Sequence, residues 1–322
     1  MSKKIMLWAI LCALSVLPHI VFAQSFPSKL IRVINPAAPG GNSDVLFRLL
    51  QPKMTENLGQ NLVFDYHPGG GGTLGGDLIA KSNPDGYTTG LVAASFVMNP
   101  SMIKKMPYDT LKDFTYLGLI VDIPSGLVIH PSLPVKNVQQ LIQLAMRQPE
   151  QIFASSSGRA TLGHLALELF NSMAHVKIVH VPYKGAGPAI IELVAGHVQL
   201  QFSSLPLLTG HLQQGRLKLI AQTGQNRSDF AKSVPTMIES GMPGYVVSSG
   251  FGLVGPALIP RPIAEKLNAA LVYAVKDANN KKLLLDQGAD PVGSSLEEHD
   301  AYVKSEVVKW ISVVKQAGIS PQ

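Results

Sequence analysis

Apolar residues recur along the chain in two periods. Short runs rich in Ile, Val and Leu, bounded by turn-forming residues, predict strands at 30–34, 88–93, 127–130, 176–181, 198–202 and 217–221. Between them, 44–58, 162–173 and 189–194 place apolar residues three and four apart, the spacing of an amphipathic helix. Alternating strand and helix predicts βαβ units and a mostly parallel sheet, an α/β fold. Local residues set several boundaries. Asn42 or Ser43 is expected to cap the helix that starts near Asp44, and Gly59 to end it. Pro188 suits a first helical turn. Ser295 and Glu298 have capping-box spacing ahead of a helix that runs to Gly318. Pro52 falls inside the first helical pattern and is expected to kink or shorten it. About eight strands with intervening helices fit two modest sheets better than one.

The first 23 residues obey different rules. Lys3 and Lys4 precede an apolar stretch from Ile5 to Leu17, Pro18 and His19 break it, and Val21 and Ala23 supply small residues for cleavage. This is the three-part pattern of a secretory signal peptide, removed after Ala23. The apolar stretch is too short for a membrane span, which needs about 20 residues. Cys12 is the only cysteine, and it lies inside that stretch. The mature chain therefore has no disulfide, no cysteine nucleophile and no thiolate metal site. An exported chain without disulfides is expected in the bacterial periplasm.

Composition removes other possibilities. Of 322 residues, 46% are hydrophobic and 15% charged, enough ordinary globular chain for about two domains. The formal charge of +6 falls to +4 once Lys3 and Lys4 leave, and it is spread without a basic stripe. Nucleic acid is not an expected partner. The enzyme signatures G-x-S-x-G and H-E-x-x-H and the P-loop lysine pattern do not occur. His164, His175, His180, His197 and His211 have no recognised ligand spacing, so no metal is expected. Gly70, Gly72 and Gly75 match the dinucleotide fingerprint, but the acidic residue expected about 20 positions on is missing. No cofactor is expected, and the chain is read as a non-enzyme and a monomer.

Four loops can carry binding chemistry, each between a strand and a helix. The first, 35–44, offers Ala37, Ala38, Gly40, Gly41, Asn42, Ser43 and Asp44. Its glycines let backbone approach a ligand, and a helix start presents N–H groups and a positive dipole end to an anion. The second offers Ser156, Ser157, Gly158, Arg159, Ala160 and Thr161, with hydroxyl donors and an arginine able to clamp a carboxylate. The third offers Tyr183, Lys184 and Gly185, and the fourth Ser203 and Ser204. Ser95, just beyond the strand at 88–93, is a further candidate. All are neutral or basic except Asp44, whose place in a first helical turn also suits capping.

The order of motifs resembles one family. It runs from Pro36 to Asp44, Pro68 to Gly76 and Asn83-Pro84-Asp85-Gly86-Tyr87, then Leu111-Lys112-Asp113-Phe114 and Pro131 to Val135. Val179 to Gly185, Val234-Pro235-Thr236 and Asp290 to Ser294 complete it. The mature chain resembles, almost end to end, the substrate-binding proteins of tripartite tricarboxylate transporters, the Bug family. The resemblance implies a type II periplasmic binding-protein fold, a two-lobed Venus flytrap. Lobe 1 would comprise 24–120 and 227–322 and lobe 2 would comprise 121–226, with hinge crossings near 118–122 and 222–226. It implies capture of a small organic acid (a mono- or dicarboxylate or an aromatic acid) for membrane transporter subunits, or docking on a sensor-kinase periplasmic domain. Members often carry a bulky residue at Ala37, glycine and threonine at Asn42 and Ser43, an acid at Ser203 and a neutral residue at Arg159. These departures imply a plain carboxylate rather than an amino acid.

Overall fold

The computed structural model describes residues 26–321. The expected signal peptide and Cys12 lie outside the described residues. The strands, in chain order, are β1 (Ile31–Asn35), β2 (Leu62–Tyr66), β3 (Thr88–Val92), β4 (Phe114–Ile129), β5 (Phe153–Ser156), β6 (Val179–Pro182), β7 (Leu200–Ser204), β8 (Lys218–Gln222), β9 (Ser248–Pro256) and β10 (Asp290–Pro291). The helices are α1 (Asn42–Leu58), α2 (Thr73–Ala80), α3 (Ala94–Met102), α4 (Val138–Arg147), α5 (Leu162–Ala174), α6 (Ala186–Val194), α7 (Leu205–Gln213), α8 (Arg261–Lys276), α9 (Ala278–Asp286) and α10 (Leu296–Gln316). None of the described helices is long and apolar enough to cross a membrane.

In one half of the sheet, β1 lies between β2 and β3, both parallel to it. Then β9 runs antiparallel to β3, and β4 antiparallel to β9 from Phe114 to Pro124. From Ser125 onward β4 pairs instead with β7 and, from Gly126, with β8. The second half continues from β7 through β5 to β6, all parallel. The expected two sheets are thus two halves of one path, joined because β4 is 16 residues long and crosses from one to the other. Only its end, 127–130, reads as strand in the sequence. Gly118, Asp122 and Pro124 interrupt its apolar run and look like breakers. Pro124 stands where β4 exchanges β9 for β7, a place in a ladder where a missing N–H costs little.

Each half buries both faces. In the first, α1 and α8 pack Phe47, Leu50, Met54, Leu267 and Leu271 on one side, and α2, α3 and α10 pack Ile79, Phe96, Val303 and Val307 on the other. In the second, α4 and α5 bury Leu141, Leu165 and Phe170, while α6 and α7 bury Ile190, Leu193 and Leu208. Double-sided burial explains the nearly continuous apolar strand runs.

Two sequence expectations need correction. Neither Asn42 nor Ser43 caps α1: the N-cap is Gly41, which has no side chain, and Ser43 Oγ donates to Asn35 Oδ1 at 3.0 Å. Pro52 does not end α1, which runs on to Leu58. Pro52 is exposed, and fully buried Leu50 and Met54 hold the helix on either side of it. The capping box forms as expected. Ser295 Oγ accepts from the Glu298 N–H at 3.1 Å, and Glu298 Oε2 accepts from the Ser295 N–H at 2.8 Å.

Three passes of the chain meet where β4 changes partner. The Ser125 N–H donates to Thr223 Oγ1 at 2.9 Å, the Thr223 N–H to the Ser125 carbonyl at 2.9 Å, and the Val247 N–H to the Thr223 carbonyl at 2.8 Å. Beyond this knot, α10 reaches back to the second half, where Ser172 Oγ donates to Gln316 Oε1 at 2.6 Å.

Candidate functional site

All four loops singled out in the sequence sit at carboxyl ends of strands, after β1, β5, β6 and β7, and each opens a helix: α1, α5, α6 and α7. This is the usual ligand position in open α/β sheets. Their first helical N–H groups lack side-chain caps: the N-caps are Gly41, Thr161, Gly185 and Ser204, and none bonds its own helix through its side chain. Uncapped N–H groups at a helix start, with the dipole behind them, favour an anion.

These helix starts converge on a cleft cavity of about 230 Å³ between the two half-sheets. Asn42 of α1, Leu162 and Gly163 of α5, Ala186 of α6, and Ser204 with Leu207 of α7 all line it. Its floor comes from β4 and β9, through Ile123, Ser125, Ser249 and Phe251. Ser157, Gln201, Phe202 and Ser203 complete it. Gly163 is required there: a Cβ would stand 2.7 Å from the Phe202 carbonyl oxygen. Gln201 is buried, and its Oε1 has no hydrogen-bond partner among the described residues. Among the described residues no Asp, Glu, Lys, Arg or His lines this cavity.

A recess of about 320 Å³ lies on the other side of the first loop. Ala37, Ser43 and Ser95 line it, together with Gly72 and Ala93, the uncapped N-caps of α2 and α3. Its inner wall is apolar, from Leu91, Phe96 and Tyr108. Register ties the two spaces together, because Val92 of the recess pairs with Gly252, next to Phe251 of the cleft floor.

The first loop is held from beneath. Buried Asn35 accepts from the Ala37 N–H at 3.1 Å and from Ser43 Oγ, cinching both ends of the loop. Asp44 is buried and faces neither cavity. It accepts from the Gly40 N–H, Arg48 Nε and Tyr66 Oη, each at 2.8 Å. Burial pushes its carboxyl up, but the Gly40, Tyr66 and Arg48 hydrogen bonds outweigh this and hold it below the ordinary range. Asp44 is a strut for the loop.

The second loop is held by two histidines. His180 Nε2 lies 2.6 Å from Ser156 Oγ, and the rings of His180 and His164 stack with centroids 3.8 Å apart. His164 Nδ1 accepts from the Ala160 N–H at 2.9 Å, at a residue whose φ is +62°. Burial, with His164 and Arg159 nearby, lowers His180 to about 4. The third loop is stitched to the second by Tyr183 N–H to the Ser156 carbonyl, 3.0 Å, and Gly185 N–H to the Ser157 carbonyl, 3.1 Å.

Of the sequence candidates, Asn42, Ser157, Ser203 and Ser204 therefore line the cleft, and Ala37, Ser43 and Ser95 the recess. Ala38, Gly40, Gly41, Asp44, Ser156, Gly158, Arg159, Ala160, Thr161, Tyr183, Lys184 and Gly185 line neither. Arg159 and Lys184 are exposed. The sequence reading missed Ser125, Gln201, Ser249 and Phe251. Gln201 carried a signal, a polar residue inside the apolar run Leu200 to Phe202, whereas the serines lie in strands and carried none. No group of three or more His, Cys, Asp or Glu residues among the described residues is placed to hold a metal.

Comparison with known proteins gives a consistent picture. The model of the family described as "Tripartite tricarboxylate transporter family receptor" matches residues 46–319. Protein BugT of Bordetella pertussis is 31% identical over 300 residues, 92% of either chain. R. palustris Rpa4515, solved with adipate, is 32% identical with a TM-score of 0.73, over 92% of this chain and 100% of that one. MatC from Rhodopseudomonas palustris, solved with bound malate, is 28% identical with a TM-score of 0.68, over 90% and 100%.

Proposed function

Because the chain belongs to the tripartite tricarboxylate transporter receptor family, a family with the periplasmic solute-binding fold, we propose that it is an exported, non-catalytic receptor that captures a small organic carboxylate and presents it to membrane transporter subunits. One observation carries the ligand class. Four uncapped helix starts, with serine hydroxyls between them, meet at a cavity lined by no charged side chain among the described residues. Such a site holds an anion by N–H and O–H donors. It offers no general base or activated nucleophile to a bound acid. The neighbouring recess adds the uncapped starts of α2 and α3, so two anionic ends can be served. We therefore place a dicarboxylate first, in keeping with the adipate and malate of the two related structures.

The two half-sheets act as lobes, and the knot at Ser125, Thr223 and Val247 is their hinge. Residues 236–247 belong with the second lobe in this reading, since Tyr245 packs on Phe170 and Phe202 and donates to the Ala166 carbonyl at 2.7 Å. Closure is favoured only as far as the ligand binds the closed form better than the open one.

The test is calorimetric titration of mature protein that has been unfolded and refolded to strip any co-purified acid. Mono-, di- and tricarboxylates, aromatic acids and amino acids form the panel. Saturable binding of one carboxylate class, without turnover by NMR, is expected. Tight binding of a zwitterionic amino acid with no plain acid bound would overturn the reading.

A further inference from the structure

Strand alternation gives the hinge strands a second face. Ile123 and Ser125 on β4 and Ser249 and Phe251 on β9 face the cleft, while their neighbours Asp122, Pro124 and Ser248 line a different cavity behind it. This rear cavity of about 670 Å³, open to solvent on one side, is bounded by β4, β10, the segment after β8, α9 and α10. Tyr302 of α10 presses so closely on β9 that a Cβ on Gly250 would stand 2.4 Å from its hydroxyl.

The charges in this cavity do not balance. Lys309 of α10 is committed to Glu306 at 2.5 Å and to the Val246 carbonyl at 2.9 Å. Arg227 is committed to Glu239 at 2.7 Å, and Asp229 to Lys232 at 3.1 Å. Lys281 of α9 lines the cavity but makes no ion pair among the described residues. Asp122 and Asp290 remain, directly opposite each other in the β4–β10 ladder. Asp290 accepts from Ser228 Oγ at 2.8 Å; the Asp122 carboxyl has the Ser248 hydroxyl beside it, but its Oδ1 is buried with no hydrogen-bond partner among the described residues. Burial raises both carboxyls. That of Asp122 reaches about 6, with Ser248 and Lys309 opposing the rise and Glu306 and Asp290 adding to it.

Two adjacent carboxylates in such a place call for a positive partner or a proton. Divalent cations seek about six or more oxygen ligands, and only two acidic side chains remain uncommitted here. An ammonium group carries three N–H donors on a compact charge and suits an unmet acceptor beside a second carboxylate. We propose that the rear cavity is a second binding site, for a small organic ammonium ion held by Asp122 and Asp290, whose occupation biases closure of the cleft on the other face of the same strands. The ammonium site stands on the cavity itself, while its coupling to the cleft rests on the receptor reading above.

The experiment uses mature protein without added carboxylate. Thermal melts are recorded with methylammonium or 1,4-diaminobutane against sodium chloride of equal ionic strength. At about pH 8 the amines raise Tm by several degrees over sodium. The gain fades as pH falls through the Asp122 value of about 6, because a proton then takes the place of the amine. Asp122→Asn and Asp290→Asn both lose the gain. No amine-specific shift at about pH 8, or the same shift in both variants, overturns the site. Carboxylate titration with saturating amine then reads the coupling, expected as a change in affinity of about fivefold or more. Equal affinity overturns the coupling. If no carboxylate binds at all, the receptor reading and the coupling both fall, and the melts still decide the ammonium site.

Discussion

At the scale of single residues, the proposed site separates groups that line the cleft from groups that hold those groups still. Ser203 is buried in the cleft wall without a charge near it. Ser203→Asp would put a fixed carboxylate at the helix starts proposed to hold the acid, and repulsion between the two like charges should lower carboxylate affinity, measured by calorimetry, at least about tenfold, equal to 1.4 kcal/mol. Asp44, His164 and His180 belong to the second group. His180 drops from 6.5 to about 4 in the folded protein, so the unfolded chain takes up its proton first. The stability it contributes is complete above the unfolded value and is lost as pH falls through the folded one. Urea midpoints should decline from about pH 6.5 to 4, and the slope should be shallower in His180→Gln. His299, lowered to about 3 by burial, adds to the same acid limb. None of this pairing was legible in the sequence, because His164 and His180 lie 16 positions apart on different elements and meet only by packing.

At the scale of elements, uncapped helix starts line the cleft and α10 ties the molecule together. The start of α5 depends on Gly163 having no side chain. Gly163→Ala would drive a methyl group against the Phe202 carbonyl, shifting α5 out of the cleft wall. Binding should weaken at least about tenfold while the far-ultraviolet dichroism of the helices persists. Trp310 of α10 is fully buried, and its Nε1 donates to Glu306 Oε2 at 3.0 Å. Trp310→Ala should cost about 3–5 kcal/mol, seen as a lowered denaturant midpoint. Helices with clear caps were legible. Ser295 and Glu298 marked the start of α10, and Gly59, at φ +69°, closes α1 where the sequence placed its end. The start of α1 was misread because Ser43 finds a tertiary partner in Asn35 in place of the helix N–H groups.

At the scale of the whole molecule, a single long strand couples the two halves. β4 passes its pairing from β9 to β7 between Pro124 and Ser125, and Ser125 lies in the floor of the cleft. A saturating ligand is expected to reduce the radius of gyration in X-ray scattering, as hinge closure requires. An unchanged radius with proven binding would mean that the lobes do not move.

By itself the sequence determined the α/β class, through its alternating periods, and the place of four loops between strand and helix, through their glycines and hydroxyls. Those features are local, written within a few neighbouring residues. Only the tertiary structure decided which loop residues reach the cleft. Arg159 and Lys184 turn to solvent, whereas Ser125, Ser249 and Phe251, unremarkable in their strands, become the floor. The reason is geometric: strand alternation fixes which side chains share a face, but only the pairing of β4 with β9 and then β7 decides what that face looks onto.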